Sequence, residues 1–205
     1  MEATTSNDIP SEARERLLRE AERQFGERGY TAVTLREIAN ALQIKQASLY
    51  HHVPGGKEQL FVEVAERTFA HHRTGLEQAI AEAGPDLRIA LRAVATWLLS
   101  HPPMDLVRMT YSDMPAIDPA HAQRLSWLAY SSMIAPIEAA LTMALERGAI
   151  QHHNLGLVAG GLLGMIESLH AAPGDAPISR VTMAYELIDV MLDGLRPRER
   201  GRGEE

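Results

Sequence analysis

Apolar residues recur along most of this chain at intervals of three and four, the spacing that lines one face of an α-helix. Leu17, Leu18, Ala21 and Phe25 form the first such stripe, in a helix that opens at Ser11 as N-cap and stops at Gly29. Thr34, with Glu37 three residues on, has the form of a capping box and starts a short helix that buries Leu35, Ile38, Ala39 and Leu42. A second short helix over about 45–51 follows almost at once, and Pro54-Gly55-Gly56 then breaks the chain. Longer helices are predicted over about 57–82, 86–100, 119–147, 154–171 and 177–194, and the stretch from Pro103 to Pro119 reads as irregular with one short helix. No sustained apolar/polar alternation flanked by hairpin turns occurs, so the fold class is all-α. A three-helix unit precedes a longer helical bundle.

Composition narrows the function classes. At 205 residues the chain is one domain, or a small domain joined to a larger one, and its 45% hydrophobic content is enough for a real core. The absence of cysteine removes disulfides, thiolate metal sites and thiol nucleophiles together. No uninterrupted apolar run approaches the roughly 20 residues of a membrane span, and the polar, acidic start is unlike a secretion signal. The expectation is a soluble, cytoplasmic protein without a membrane partner. Residues 1–10 read as a flexible arm, and the charged tail 196–205 as disordered.

Residues 35–50 have the pattern of a helix-turn-helix. Ala39 is small where two helices must cross closely, Leu42 and Ile44 flank the turn, and Leu49 pins the second helix onto the first. Lys45, Gln46, Ser48 and His51 then face outward, a set able to bond base edges and phosphates. No acidic residue occurs from Ile38 to Lys57, and the only two lysines are Lys45 and Lys57. Charge alone does not point to DNA: the whole chain sums to −7, and residues 1–70 hold nine basic against eleven acidic residues. Two short helices in an ordinary bundle would satisfy the same pattern.

The run from Phe25 to Ala39 (FGERGYTAVTLREIA), then Ser48-Leu49-Tyr50-His51-His52-Val53 and Lys57-Glu58-Gln59-Leu60-Phe61, closely resembles the TetR family of bacterial transcriptional repressors. The resemblance covers about residues 11–61; beyond it the likeness is architectural, with an ending over 186–195 similar to the family's last helix. It implies a helix-turn-helix DNA-binding domain over 11–56 and a helical effector-binding and dimerisation domain over 57–195. It also implies a homodimer on a double-stranded, pseudo-palindromic operator, released by a small-molecule effector, with no cofactor and no enzymatic activity. Residue by residue, Thr34 and Arg36 stand where family members touch the DNA backbone. Lys45, Gln46, Ala47, Ser48 and His51 occupy the recognition helix, Tyr50 matches a phosphate-binding tyrosine, and Lys57 matches a lysine opening the connecting helix. Three positions depart from the pattern. Gln43 stands where glycine is usual in the turn, Lys45 replaces a capping Ser or Thr, and Pro54-Gly55-Gly56 is one residue longer than usual.

In the larger domain Gly156, Gly160 and Gly164 share one helix face, where a second helix can approach closely. The resemblance favours a dimer face there, with Leu187 and Met191 from the last helix; packing inside one subunit is the alternative. Trp97, His101, Met104, Tyr111, Trp127, Tyr130, Met165 and His170 are the candidate effector-binding residues, with Glu167 a further polar candidate. Six of the nine histidines lie in adjacent pairs, which on a helix point about 100° apart, so no metal site is expected. Two other readings stay open: a helical small-molecule-binding protein or enzyme that has lost DNA reading, and an architectural DNA binder without effector.

Overall fold

The computed structural model describes residues 12–151, 154–173 and 177–195. The arm 1–10, the Ser11 cap, the His152-His153 pair, the Gly174 break and the tail 196–205 lie outside the described residues. Among the described residues ten α-helices run in the expected order: α1 (Glu12–Ala32), α2 (Leu35–Ala41), α3 (Gln46–His52), α4 (Gly56–Ala83), α5 (Leu87–Leu99), α6 (Leu106–Arg108), α7 (Pro119–Ala129), α8 (Ala135–Glu146), α9 (Leu155–Ser168) and α10 (Arg180–Leu195). No strand occurs among the described residues.

The chain divides into two compact units. The first comprises residues up to Thr68 together with Val107–Leu125; the second comprises Phe69–Leu106 and the residues from Ser126 on. Helix α4 contributes its first half to one unit and its second half to the other. In the first unit Leu17, Leu18, Ala21, Phe25, Ile38, Leu49 and Leu60 are almost wholly buried. Each of the leucines, Phe25 and Ile38 is worth about 1.5–3 kcal/mol over an exposed position. In the second, α5 packs against α8, α9 and α10 around Leu91, Val94, Leu98, Ile137, Leu141, Leu162, Ile166 and Ile188.

The run expected as one helix over 119–147 is interrupted by a wider π-turn at Tyr130–Ile134, and a second π-turn spans Met109–Asp113. Both end two residues before a proline, Pro136 and Pro115. Proline has no N–H and its ring crowds the carbonyl four residues back, so widening the preceding turn relieves a conflict. Helix α10 starts three residues later than the pattern suggested, because the Ser179 hydroxyl accepts the Thr182 amide and caps it there.

By length and composition the run Pro119–Glu146 passes as a membrane span, although polar residues interrupt it throughout. Its apolar positions Leu125, Met133, Ile137 and Leu141 are all fully buried. A core helix meets the same test, because burial in protein and burial in lipid select the same residues.

Candidate nucleic-acid interface

Helix α2 begins as its sequence dictates. The Thr34 hydroxyl accepts the Glu37 amide at 3.2 Å, and the Glu37 carboxylate accepts the Thr34 amide at 2.8 Å, closing the capping box. Arg28 also binds Glu37 at 2.7 Å. These bonds pull the Glu37 carboxyl down to about 2, the Thr34 hydroxyl making the largest contribution.

The turn after α2 is a Schellman motif. Ile44 N donates to Ala39 O at 3.0 Å and Gln43 N donates to Asn40 O at 3.1 Å, which places Gln43 at the left-handed position with φ 57°. The same pattern closes α8: Ala149 N donates to Ala144 O, Gly148 N donates to Leu145 O, and Gly148 has φ 71°. Glycine occupies the strained site there; glutamine occupies it here, at a cost of about 1 kcal/mol.

Helix α3 has Lys45 at its N-cap without a side-chain cap bond, as expected from the loss of Ser or Thr. Leu49 is fully buried, whereas Lys45, Gln46, Ala47, Ser48, Tyr50 and His51 are all exposed, as is Arg36 on α2. None of the side chains of Arg36, Lys45, Gln46, Ser48, Tyr50 or His51 has a hydrogen-bond or ion-pair partner among the described residues. Arg14 fixes the far end of the helix by donating to the His52 carbonyl while pairing with Glu63 on α4 at 2.7 Å. Lys57 differs from the rest. It is half-buried, its Nζ stands 4.2 Å from the Tyr30 ring centroid, and burial lowers its pKa. Tyr30 in turn packs on Phe61 at 5.0 Å, and Phe61 on Phe25 at 5.3 Å.

Two residues that pattern reading passed over also shape this unit. Arg108 donates to the carbonyls of Phe25 and Gly26 at 3.1 and 2.7 Å, and Asp113, 2% exposed, accepts the Tyr30 amide at 2.8 Å. No local signal marks either residue; they matter only because the Met109–Asp113 π-turn meets the end of α1.

In the second unit the Trp97 ring lies on the backbone of Gly75, where an added Cβ would stand 1.9 Å from it. His101 packs on Trp97 at 4.1 Å between centroids, and the rings of His71 and His72 lie 5.1 and 5.6 Å from His101. Adjacent histidines on one helix thus meet a common neighbour. Among the described residues, however, no three His, Asp or Glu side chains are arranged to hold a metal ion. His72 is 4% exposed with Nδ1 unpartnered, and burial brings its pKa down to about 4, with His101 and His71 adding to the shift.

Of the candidate effector-binding residues, Trp97, His101, Met104, Met165 and His170 are half-buried in the second unit, whereas Trp127 and Tyr130 are exposed there. Tyr111 belongs to the first unit and is 81% exposed. Of the glycine stripe, Gly156 stands 3.4 Å (from an added Cβ) from Glu138 and Gly160 4.0 Å from Ile134, while Gly161 and Gly164 have open space before them. Leu187 and Met191 are half-buried.

Residues 17–64 match the family model for bacterial regulatory proteins of the tetR family. Among curated proteins, the HTH-type transcriptional repressor KstR2 of Rhodococcus jostii is 40% identical over 83 residues, 40% of each chain. The chain thus spans about two fifths of the length of the curated relative it matches. Among solved structures, the TetR family regulator PfmR of Thermus thermophilus has a TM-score of 0.63 at 26% identity, covering 89% of this chain and 100% of that one. AibR, solved with isovaleryl coenzyme A and operator DNA, has a TM-score of 0.68 at 21% identity, covering 87% and 97%. The match and the likeness agree: residues 17–64 carry a helix-turn-helix of the tetR family, and the chain as a whole is similar to TetR family regulators.

Proposed function

We propose that the protein is a ligand-responsive transcriptional repressor that binds a pseudo-palindromic operator as a homodimer and leaves it when a small molecule binds. The observation that carries this reading is α3: one buried anchor, Leu49, holds a short helix whose side chains from Gln46 to His51 are otherwise exposed and uncommitted. A helix in that state offers Lys45, Gln46, Ser48 and His51 to base edges. Thr34, Arg36, Tyr50 and, once released from Tyr30, Lys57 offer contacts to phosphates. In this reading residues 11–56 read DNA, and residues 57–195 hold the effector and the partner.

What α9 and α10 leave uncovered supports a dimer. Leu157 is 67% and Val190 73% exposed, and Gly161 and Gly164 have nothing before them. A second subunit that packed on Gly156, Gly160, Gly164, Leu187 and Met191 would cover this apolar surface. Two-fold symmetry then sets two recognition helices one helical turn apart, ~34–36 Å. Effector binding acts by population shift, and coupling of about 1–3 kcal/mol weakens operator affinity 5–150-fold. Continuous from Gly56 to Ala83, α4 belongs to both units and is the element through which a change in one reaches the other. AibR, of the same fold, was crystallised with both a coenzyme A thioester and DNA, which supports the same division of labour here.

Titrating the protein against DNA flanking its own gene, at several salt concentrations and with or without a metabolite extract, tests this. Expected are a sequence-specific complex, a salt slope that falls by about 1 in Arg36→Ala, and release by the extract. Binding indifferent to sequence would identify an architectural protein instead, and no DNA binding at all a small-molecule protein.

A further inference from the structure

The chain has two lysines, and the structure holds them in opposite states. Lys45, at the cap of α3, is exposed and uncommitted. Lys57, in the first turn of α4, is half-buried, with Nζ 4.2 Å from the centroid of the Tyr30 ring. It has no hydrogen-bond or ion-pair partner among the described residues. The two carboxylates whose charge reaches it are committed elsewhere. Asp113 takes the Tyr30 amide and Arg108, and Glu37 takes the Thr34 amide and Arg28.

The ring is thus the contact that holds this cation. The start of a long helix is the positive end of its dipole, which disfavours an ammonium there and favours an anion beside it. A cation–π contact is also weaker than a charge-assisted hydrogen bond to phosphate. The ring itself is fixed. The Tyr30 amide donates to Asp113 at 2.8 Å, and the ring packs at 5.0 Å on Phe61, which is 3% exposed and seated in the core beside Phe25. If Lys57 is to meet a phosphate, the lysine moves and the ring stays.

We propose that Tyr30 withholds Lys57 from DNA: the free chain keeps the ammonium on the ring, and binding to a duplex transfers it to a backbone phosphate at the start of α4. The proposal rests on the DNA-binding reading above and adds to it a positioning residue, Tyr30, that acts through Lys57 without touching the duplex. Each transfer gives up the cation–π contact, so the ring lowers affinity by the strength of that contact. A phosphate contact carries no sequence information. The ring therefore trims binding to every duplex alike and leaves sequence preference to Lys45, Gln46, Ser48 and His51.

Because the full chain has only two lysines, labelling lysine Cε with carbon-13 makes the test direct. Lys45→Arg removes one of the two methylene signals and so assigns the other to Lys57. In the free chain the Lys57 methylene protons should lie upfield, shifted by the Tyr30 ring current. They should return to the ordinary lysine position when a mixed-sequence duplex saturates the protein at low salt, and should lie there already in free Tyr30→Leu. Tyr30→Leu should bind that duplex about two- to fivefold tighter, the strength of one cation–π contact, and the gain should vanish when Lys57→Ala is added. A Lys57 signal unshifted in the free chain, or still shifted on the bound duplex, would overturn the proposal and leave the DNA-binding reading standing. So would a gain that persists with Lys57→Ala, or no gain at all. Failure to bind any duplex would sink the DNA-binding reading and this proposal with it. Should Tyr30→Leu not fold, the wild-type Lys57 signal with and without duplex decides.

Discussion

The amide of Tyr30 donates to the carboxylate of Asp113 at 2.8 Å, a bond between residues 83 positions apart in the chain. Gly29 makes it possible. With φ 80° it kinks α1 three residues before its end, and a Cβ there would stand 2.9 Å from the same Asp113 oxygen. Arg108 completes the joint by donating to the Phe25 and Gly26 carbonyls just before the Gly29 kink, where a cation also meets the negative end of that helical segment's dipole.

Removing one member of this joint leaves the others buried and unpaired. Asp113→Ala should cost about 2–4 kcal/mol in the first unit, and Asp113→Asn, which keeps an acceptor for Tyr30, roughly half as much. Urea unfolding checks both. Equal losses for the two variants would mean that the charge, rather than the acceptor, is what Tyr30 and Arg108 require.

Gln43 occupies the left-handed position that Gly148 fills in the equivalent turn after α8. Gln43→Gly should therefore raise stability by up to about 1 kcal/mol, read as an upward shift of the melting temperature. The Gln43 side chain is exposed and its removal takes away no packed contact. A loss of stability would show that the φ of 57° carries no strain.

Trp97 depends on the bare backbone of Gly75. Gly75→Ala would drive a methyl into the ring, 1.9 Å from its nearest atom, and should destabilise by about 1–3 kcal/mol. Because Trp97 Nε1 and the rings of His71 and His101 share that environment, the Trp97 fluorescence should shift as well. A double variant with Trp97→Leu should recover most of the lost stability, since the smaller side chain leaves room for the methyl.

His72 makes the second unit sensitive to acid. Its pKa in the folded chain is about 4, below the ordinary 6.5, so between these values the unfolded chain binds a proton that the folded chain refuses. Stability is thus complete above pH 6.5 and falls as the pH drops towards 4, by up to about 3 kcal/mol. His71 and His101 face the ring and act in the same direction. Thermal melts from pH 7 to 4 should show a flatter profile for His72→Leu than for the wild type.

Much of the fold is legible from spacing alone. Helix identity, the Thr34–Glu37 capping box and the inward turn of Leu49 are consequences of interactions three or four residues apart, which sequence displays directly. The strain at Gln43 belongs here too, because a Schellman turn demands a left-handed residue whatever surrounds it. The outward face of α3 is legible for the same reason: once Leu49 is inside, Lys45, Gln46, Ser48 and His51 must be outside.

Other features were closed to that reading. Arg108 and Asp113 look like ordinary surface charges, and only the meeting of a π-turn with the end of α1 makes them structural. His71 and His72 diverge along their own helix yet share His101, because α5 supplies the third ring. Lys57 reads as a phosphate contact but lies over Tyr30 in the free chain.

By itself, then, the sequence determined where the helices run, which side of each is apolar and which short helix turns its polar atoms outward. Tertiary structure alone decided which charges are enclosed and which of them find a partner. The reason is physical: periodicity records how a side chain is placed on its own helix, whereas burial and counter-charge are set by whatever distant segment arrives to cover it.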